Sequence, residues 1–129
     1  MNELEGIQIL VVDDNEDICE LIEMQFEMAG LKVLKAFSGH QAMGLLNKNQ
    51  NVKIVLSDTN MPDGNGEELL ASCMQIEVSK RPLFYFITGD SEFSQEKVQV
   101  LGADGVFSKP FDMEKILETI KVRFKGQVG

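Results

Sequence analysis

Five short apolar runs alternate with segments of helical periodicity, and this alternation constrains the fold more than any other feature of the chain. The runs are residues 7–12, 32–36, 54–58, 83–87 and 105–108. Their lengths and their β-branched and aromatic residues are typical of buried strands. Strands that are separated by helices need crossover connections, which produce a parallel sheet with helices on both faces. The sequence therefore predicts an α/β domain with three layers and a doubly wound five-stranded parallel sheet.

The segments between the runs carry helix signals at their ends. Gly30 is placed to end the first helix, and Ser38 to cap the second. Further helices are predicted at 67–74 and 95–101. Asp112 is a predicted N-cap for the last helix, which has the clearest apolar stripe in the chain: Met113, Ile116, Leu117, Ile120 and Phe124.

The composition indicates one globular domain. The chain has 129 residues, of which 43% are hydrophobic and 26% charged, and this length is sufficient to bury a core. We expect a single domain over residues 1–129, with its core at about 7–124 and a short tail at 125–129. The formal net charge of −9 argues against direct binding to nucleic acid, because phosphate contacts require clustered Lys and Arg.

The sequence also predicts a cytoplasmic protein. No apolar run is long enough to span a bilayer, and the N-terminus lacks the basic and apolar regions of a signal peptide. Cys19 and Cys73 share no short motif, and both fall in predicted helices. Two free thiols in a reducing compartment are the simplest interpretation.

Polar side chains follow four of the predicted strands. Asp13 and Asp14 follow the first, Asp58 ends the third, Thr88 follows the fourth and Lys109 follows the fifth. Each has an ordinary alternative role, as a helix cap, a turn former, a strand residue or a surface lysine. However, the carboxyl ends of parallel strands meet at one edge of the sheet, where such folds bind ligands. The conjunction therefore favours a functional site.

The chemistry of this set is that of phosphoryl transfer to a carboxylate. Clustered carboxylates repel one another and favour a hard divalent cation such as Mg²⁺. Asp58 would then attack phosphorus in line. Lys109 would supply a positive charge for a phosphate oxygen, and Thr88 a hydroxyl donor.

Four segments together resemble the receiver domain of two-component response regulators. They are Val11-Val12-Asp13-Asp14, Ser57-Asp58-x-Asn-Met-Pro-x-Gly, Thr88-Gly89, and Gly102-Ala103-Asp104 followed by Lys109-Pro110-Phe111. The resemblance runs from about Ile7 to Phe124. It implies the flavodoxin-like receiver fold and a function as a phosphorelay switch.

The resemblance also implies roles for individual residues. Asp58 would accept the phosphoryl group from a phosphohistidine of a sensor histidine kinase or histidine phosphotransfer protein. Asp14, Asp58 and the backbone carbonyl of Asn60 would bind Mg²⁺, with Asp13 acting mostly through water. Thr88 would contact the phosphoryl group and shift on activation, and Lys109 would pair with the phosphate. A cis Lys109-Pro110 bond, a downstream protein effector, and a monomer or weak phosphorylation-dependent dimer are further expectations.

One position departs from the family pattern. The family usually has Tyr, Phe or His three residues before the lysine, where this chain has Val106. Strand alternation places the neighbouring Phe107 on the opposite face, so it is not a substitute. We therefore expect phosphorylation chemistry to be intact, and output to depend on loop and helix shifts after the fourth strand rather than on an aromatic gate.

Two other classes of protein compete with this interpretation. A Mg²⁺-dependent phosphatase of the haloacid dehalogenase type also uses an Asp at a strand end, but it normally has a second Asp two residues later as general acid. Asn60 occupies that position. A flavin-binding domain needs a phosphate loop after the first strand, where Asp13 and Asp14 would repel phosphate.

Overall fold

The alternating pattern produces five strands and five α-helices in the computed structural model, which describes residues 4–49, 51–59, 61, 65–89, 95–110 and 112–128, with the backbone alone at 95 and 125–128. The strands are β1 (Gln8–Val12), β2 (Lys32–Ala36), β3 (Val52–Asp58), β4 (Leu83–Thr88) and β5 (Gly105–Ser108). The helices are α1 (Glu16–Met28), α2 (Gly39–Lys48), α3 (Gly66–Cys73), α4 (Gln95–Leu101) and α5 (Met113–Val128), and a 3-10 turn spans Val78–Lys80.

The strands of the described residues pair in parallel in one sheet, in the order β2-β1-β3-β4-β5. One apolar cluster lies between the sheet and helices α1 and α5, and a second lies between the sheet and helices α2, α3 and α4. The predicted three-layer doubly wound fold is therefore confirmed. Because β2 and β3 lie on opposite sides of β1, the winding reverses between β1 and β3, and the carboxyl ends of these two strands form the switch point where such sheets bind ligands.

Side-chain alternation along the strands assigns residues to the two faces. Ile9 and Val11 of β1 pack in the α1/α5 cluster, whereas Leu10 and Val12 pack in the other. Leu4 is fully buried in the α1/α5 cluster, three residues before the expected start of the core. At the other end α5 continues to Val128, so the helix extends into the expected tail.

Capping residues begin and end the helices as the sequence predicts. The side chain of Ser38 accepts a hydrogen bond from the Gln41 N–H (3.1 Å) at the start of α2, and Asp112 accepts one from the Glu114 N–H (3.0 Å) at the start of α5. Gly30 has a φ of +96° after α1, a conformation that favours glycine.

The loop between α4 and β5 is tied to β4 through Asp104. Its N–H donates to the carbonyl oxygen of Phe84 (2.8 Å), and its carboxylate accepts the Phe84 N–H (2.8 Å). The same carboxylate pairs with Arg123 of α5 at 2.9 Å. The C-terminal end of α4 is therefore attached to both the sheet and α5. None of the helices in the described residues is long and apolar enough to cross a membrane.

Candidate functional site

Three carboxylates gather at the switch point between β1 and β3. Asp13 follows β1 directly and is 2% exposed, Asp58 ends β3 and is 8% exposed, and Asp14 is exposed. Each offers one carboxylate oxygen, and these three atoms lie within 4.8 Å of one another. Asp13 and Asp58 continue the alternation of Val11 and Leu56, so both side chains lie on the α1/α5 side of the sheet.

The ammonium group of Lys109 lies between the two buried carboxylates. Its Nζ is 3.2 Å from Asp13 Oδ2 and 3.4 Å from Asp58 Oδ2. Burial disfavours the charged ammonium, but the charges of Asp13 and Asp58 outweigh that penalty, so the pKa of Lys109 lies above its ordinary value. Lys109 is therefore a fixed positive charge at this edge of the sheet.

Asp13 is a buried carboxylate whose pKa is raised. Burial raises its pKa, the Asn15 N–H and the Lys109 ammonium lower it, and the charge of Asp58 raises it further; the net shift is upward. The Asn15 N–H donates to Asp13 Oδ1 at 2.9 Å. The backbone carbonyl oxygen of Asp13 also accepts a hydrogen bond from the Cys19 thiol at 3.3 Å. The carboxylate is positioned firmly, and its negative charge is disfavoured unless a further cation is present.

The oxygens gathered here suit Mg²⁺ chemically. Hard divalent cations prefer carboxylate oxygens, and three of them from separate loop and strand positions converge at this edge. The predicted fourth ligand, the backbone carbonyl of Asn60, lies outside the described residues. The set therefore fits the implied metal, with Asp13, Asp14 and Asp58 as the described candidates.

Thr88 lies at the same edge but bonds to a residue that the sequence did not single out. The hydroxyl oxygens of Thr59 and Thr88 are 2.9 Å apart. The carbonyl oxygen of Thr88 accepts the Lys109 N–H at 2.7 Å. The structure thus brings all five predicted strand-end residues to one edge, and it adds Thr59, whose only sequence signal was its place directly after Asp58.

Gly66 is a second residue that sequence reasoning missed. A Cβ at this position would collide with the carbonyl oxygen of Asp58 and lie 3.0 Å from Cε1 of Phe86. The Gly66 N–H donates to the carbonyl oxygen of Thr59 at 3.3 Å. The start of α3 is therefore packed directly against the backbone of β3, and only the smallest residue permits that contact.

Val106 and Phe107 of β5 lie on opposite faces of the sheet, as the sequence predicts. Phe107 packs in the α1/α5 cluster, with its ring 5.6 Å from that of Tyr85. Val106 packs against the opposite cluster, on the side of α2, α3 and α4. The Lys109-Pro110 bond is cis, as the resemblance implied.

The candidate site is separate from a cavity at the other edge of the sheet. A cavity of about 560 Å³ lies elsewhere, at the amino ends of the strands, where Leu46, Val52 and Pro82 are among its lining residues. Asp58 and Lys109 take no part in it. The arrangement can hold a cation and an attacking carboxylate beside a fixed ammonium group.

Comparison with known proteins agrees with this geometry. Residues 9–121 match the family described as response regulator receiver domain. The transcriptional regulatory protein YrkP of Bacillus subtilis is 33% identical over 110 residues, which cover 84% of this chain and 46% of YrkP. The transcriptional regulatory protein CpxR of Klebsiella pneumoniae is 32% identical over 114 residues, which cover 88% of this chain and 47% of CpxR.

A solved structure of similar size matches this chain over nearly its whole length. The chemotaxis response regulator CheY4 of Vibrio cholerae superposes with a TM-score of 0.80 and 29% identity, covering 92% of this chain and 98% of that one. The chain spans about half the length of the curated relatives it matches. The chain belongs to the response regulator receiver domain family, and it is a signalling module of the two-component type.

Proposed function

We propose that Asp58 accepts a phosphoryl group from a phosphohistidine and that the protein, as one receiver domain over residues 1–129, thereby changes its affinity for partners. The observation that carries this proposal is the position of Lys109, whose Nζ lies within 3.4 Å of both Asp13 and Asp58. A buried carboxylate beside a fixed ammonium group can attack phosphorus while the ammonium group neutralises a phosphate oxygen.

The transfer balances without any further reactant. One carboxylate oxygen of Asp58 forms a bond to phosphorus, and the bond between phosphorus and the donor imidazole nitrogen breaks. The nitrogen keeps the electron pair of that bond and takes a proton from water. Later attack by water on phosphorus releases inorganic phosphate and restores the Asp58 carboxylate, so the protein acts as a switch with a limited lifetime rather than as a turnover enzyme.

The remaining site residues serve the same step. Asp13, Asp14 and Asp58, with the Asn60 backbone carbonyl, are the proposed Mg²⁺ ligands. A cation held by these residues would supply positive charge beside the phosphoryl oxygens while the phosphoryl group is transferred to Asp58. Lys109 would pair with one phosphoryl oxygen, and the Thr88 hydroxyl would donate to another.

The proposed partners are proteins. The donor would be a sensor histidine kinase or a histidine phosphotransfer protein, and the output would pass to a protein effector. The net charge of −9 supports contact with basic protein surfaces and disfavours direct contact with nucleic acid. The free cysteines Cys19 and Cys73 support a cytoplasmic location.

Phosphorylation can be tested with a small donor. The protein is incubated with acetyl phosphate and Mg²⁺, and its intact mass is measured. We expect a gain of one phosphoryl group that requires the metal and that hydroxylamine removes, since hydroxylamine cleaves acyl phosphates.

Matched variants locate the modification. Asp58→Asn should gain no phosphoryl group, whereas Asp17→Asn, which alters an exposed carboxylate of α1, should behave like the wild type. A phosphoryl group that persists in Asp58→Asn would contradict the assignment of Asp58. Sustained turnover of phosphate esters would contradict the switch and favour a hydrolase.

A further inference from the structure

A hydroxyl pair joins the ends of β3 and β4. Asp58 is paired with Ile87 in the parallel register, and Thr59 and Thr88 are the next residues along the two strands. Their Oγ1 atoms are 2.9 Å apart, and either can be the donor. Thr88 is 2% exposed, so its hydroxyl lies where loss of a hydrogen bond is costly.

The pair lies on the opposite side of the sheet from the Asp58 carboxylate. Thr88 continues the alternation of Phe84 and Phe86, which pack against helices α2, α3 and α4. Asp58 continues that of Leu56, on the side of α1 and α5. The hydroxyl that bonds to Thr59 is thus directed along the sheet, away from the side on which Lys109 meets Asp58.

The main chain on both sides of this pair is already anchored. The Thr59 N–H donates to the carbonyl oxygen of Ile87 at 3.3 Å, and the Thr59 carbonyl accepts the Gly66 N–H at 3.3 Å. The Thr88 carbonyl accepts the Lys109 N–H at 2.7 Å. Since these bonds fix the backbone, the movable part of the pair is the side-chain torsion of each threonine.

We propose that Thr59 is a positioning residue, which holds the Thr88 hydroxyl in its resting orientation and competes for it with a phosphoryl group on Asp58. The proposal rests on the proposed function of Asp58. In this proposal Thr88 is the donor of the pair. Its hydroxyl has one proton to donate, and a bond to a charged phosphoryl oxygen is stronger than one to a neutral hydroxyl. Thr88 therefore stays with Thr59 while Asp58 carries no phosphoryl group, and it leaves Thr59 when the phosphoryl group is present.

Val106 of β5 increases the importance of the hydrogen bond between Thr59 and Thr88. Val106 lies beside Phe86 in the register of β4 and β5, and it packs on the same side of the sheet as Thr88. An aliphatic side chain can fill space there but cannot hold a hydroxyl by hydrogen bonding. The Thr59 hydroxyl, by contrast, does engage that of Thr88.

Beryllofluoride, a phosphoryl mimic, tests the competition at equilibrium in the presence of Mg²⁺. Thr59→Val keeps the shape of the side chain and removes its hydroxyl, so the resting state loses one hydrogen bond and the bound state does not. We expect beryllofluoride to bind about two- to tenfold more tightly to Thr59→Val than to the wild type. Thr59→Ser keeps the hydroxyl and should bind within about twofold of the wild type.

A double-mutant cycle separates positioning from general stability. In a Thr88→Val background there is no hydroxyl to release, and Thr59→Val should then give no gain in beryllofluoride affinity. An equal gain in both backgrounds would overturn the proposal, because it would show that Thr59 acts independently of Thr88. Thermal unfolding of each variant verifies that all four proteins are folded during the titrations.

The resting orientation has a readout that needs no ligand. Three-bond couplings to the labelled Thr88 methyl group report its χ1 populations in solution. We expect the same rotamer distribution in the wild type and in Thr59→Ser, and a changed distribution in Thr59→Val. An unchanged distribution in Thr59→Val would overturn the proposal.

The outcomes distinguish this proposal from the proposed function. If the wild type binds no beryllofluoride with Mg²⁺, phosphoryl acceptance by Asp58 fails and the role of Thr59 fails with it. If the wild type binds but Thr59→Val binds equally or more weakly, phosphoryl acceptance stands and only the role of Thr59 falls.

Discussion

The carbonyl oxygen of Asp58 occupies the space that a side chain on Gly66 would need. The first residue of α3 is thereby fixed against the last residue of β3, and the Gly66 N–H also bonds to the Thr59 carbonyl. The helix consequently acts as a rigid support behind the candidate phosphoacceptor. Its packing and the geometry of the site are therefore coupled.

Gly66→Ala should destabilise the protein and distort the site. The added methyl group meets backbone atoms that have no rotamer to relieve the overlap, so we expect a loss of about 1–3 kcal/mol in the free energy of unfolding. Urea unfolding measures this loss, and the rate of phosphorylation by acetyl phosphate should fall as well.

Gly44→Ala is the matched control. A Cβ there meets no atom within 4 Å, and helix propensity predicts a gain of about 0.5–1 kcal/mol. Equal effects at the two glycines would contradict this account.

Lys109→Gln should destabilise the metal-free protein, because it removes the ammonium group that pairs with both Asp13 and Asp58 and leaves the two carboxylates to repel each other. We expect a loss of about 1–3 kcal/mol, measured by urea unfolding, and Mg²⁺ should restore part of it. Lys97→Gln serves as the control, since its pair with Glu67 is exposed and 3.6 Å long and should change stability by less than about 0.5 kcal/mol. A metal-free Lys109→Gln protein as stable as the wild type would exclude this role for the ammonium group.

Asp13→Asn should have the opposite effect on stability. Since the pKa of Asp13 is raised, first by burial, its contribution to stability is present below the ordinary pKa and is lost as the pH rises through the raised one. At neutral pH the charged side chain is therefore a cost. We expect the substitution to raise the metal-free Tm by a few degrees. Mg²⁺ should then stabilise the variant less than it stabilises the wild type. Unfolding scans with and without Mg²⁺ measure both effects, and an unchanged response to Mg²⁺ would exclude Asp13 from the metal site.

The buried thiols should make the protein sensitive to alkaline pH. Burial raises the pKa of Cys73 to about 11, from an ordinary value of 9.0. The unfolded chain therefore loses this proton at lower pH than the folded protein, and the contribution of Cys73 to stability falls between pH 9 and 11. Its size is on the order of 2 kcal/mol. Urea unfolding at several pH values should show a shallower decline in Cys73→Ala than in the wild type, and parallel curves would contradict the prediction.

The strand-end residues were predictable because their positions follow from local sequence. Each apolar run identifies a strand, and parallel strands place their carboxyl ends together, so Asp13, Asp58, Thr88 and Lys109 converge once the fold class is known. The alternation of strands and helices also predicted the layers on both faces of the sheet, but the order of the strands is known from the structure. Val106 and Phe107 were assigned to opposite faces by the two-residue period alone, as the structure confirms.

The residues that sequence reasoning missed depend on distances between atoms in different elements. Thr59 matters because the register of β3 and β4 places it across from Thr88, and nothing in its neighbourhood in the sequence indicates that contact. In the sequence Gly66 has the pattern of an ordinary turn residue. Only the structure shows that it packs against the carbonyl oxygen of Asp58. Leu4 precedes the first apolar run and has no periodic pattern, yet it is fully buried.

Asp104 gives α4 one fixed end. Its backbone and carboxylate both hold Phe84, and Arg123 binds the same carboxylate, so the loop that directly follows α4 is attached to the sheet and to α5. The other end of α4 follows Thr88 along the chain. Any movement of α4 would therefore turn about its end near Asp104, so that the two ends of the helix would move by different amounts.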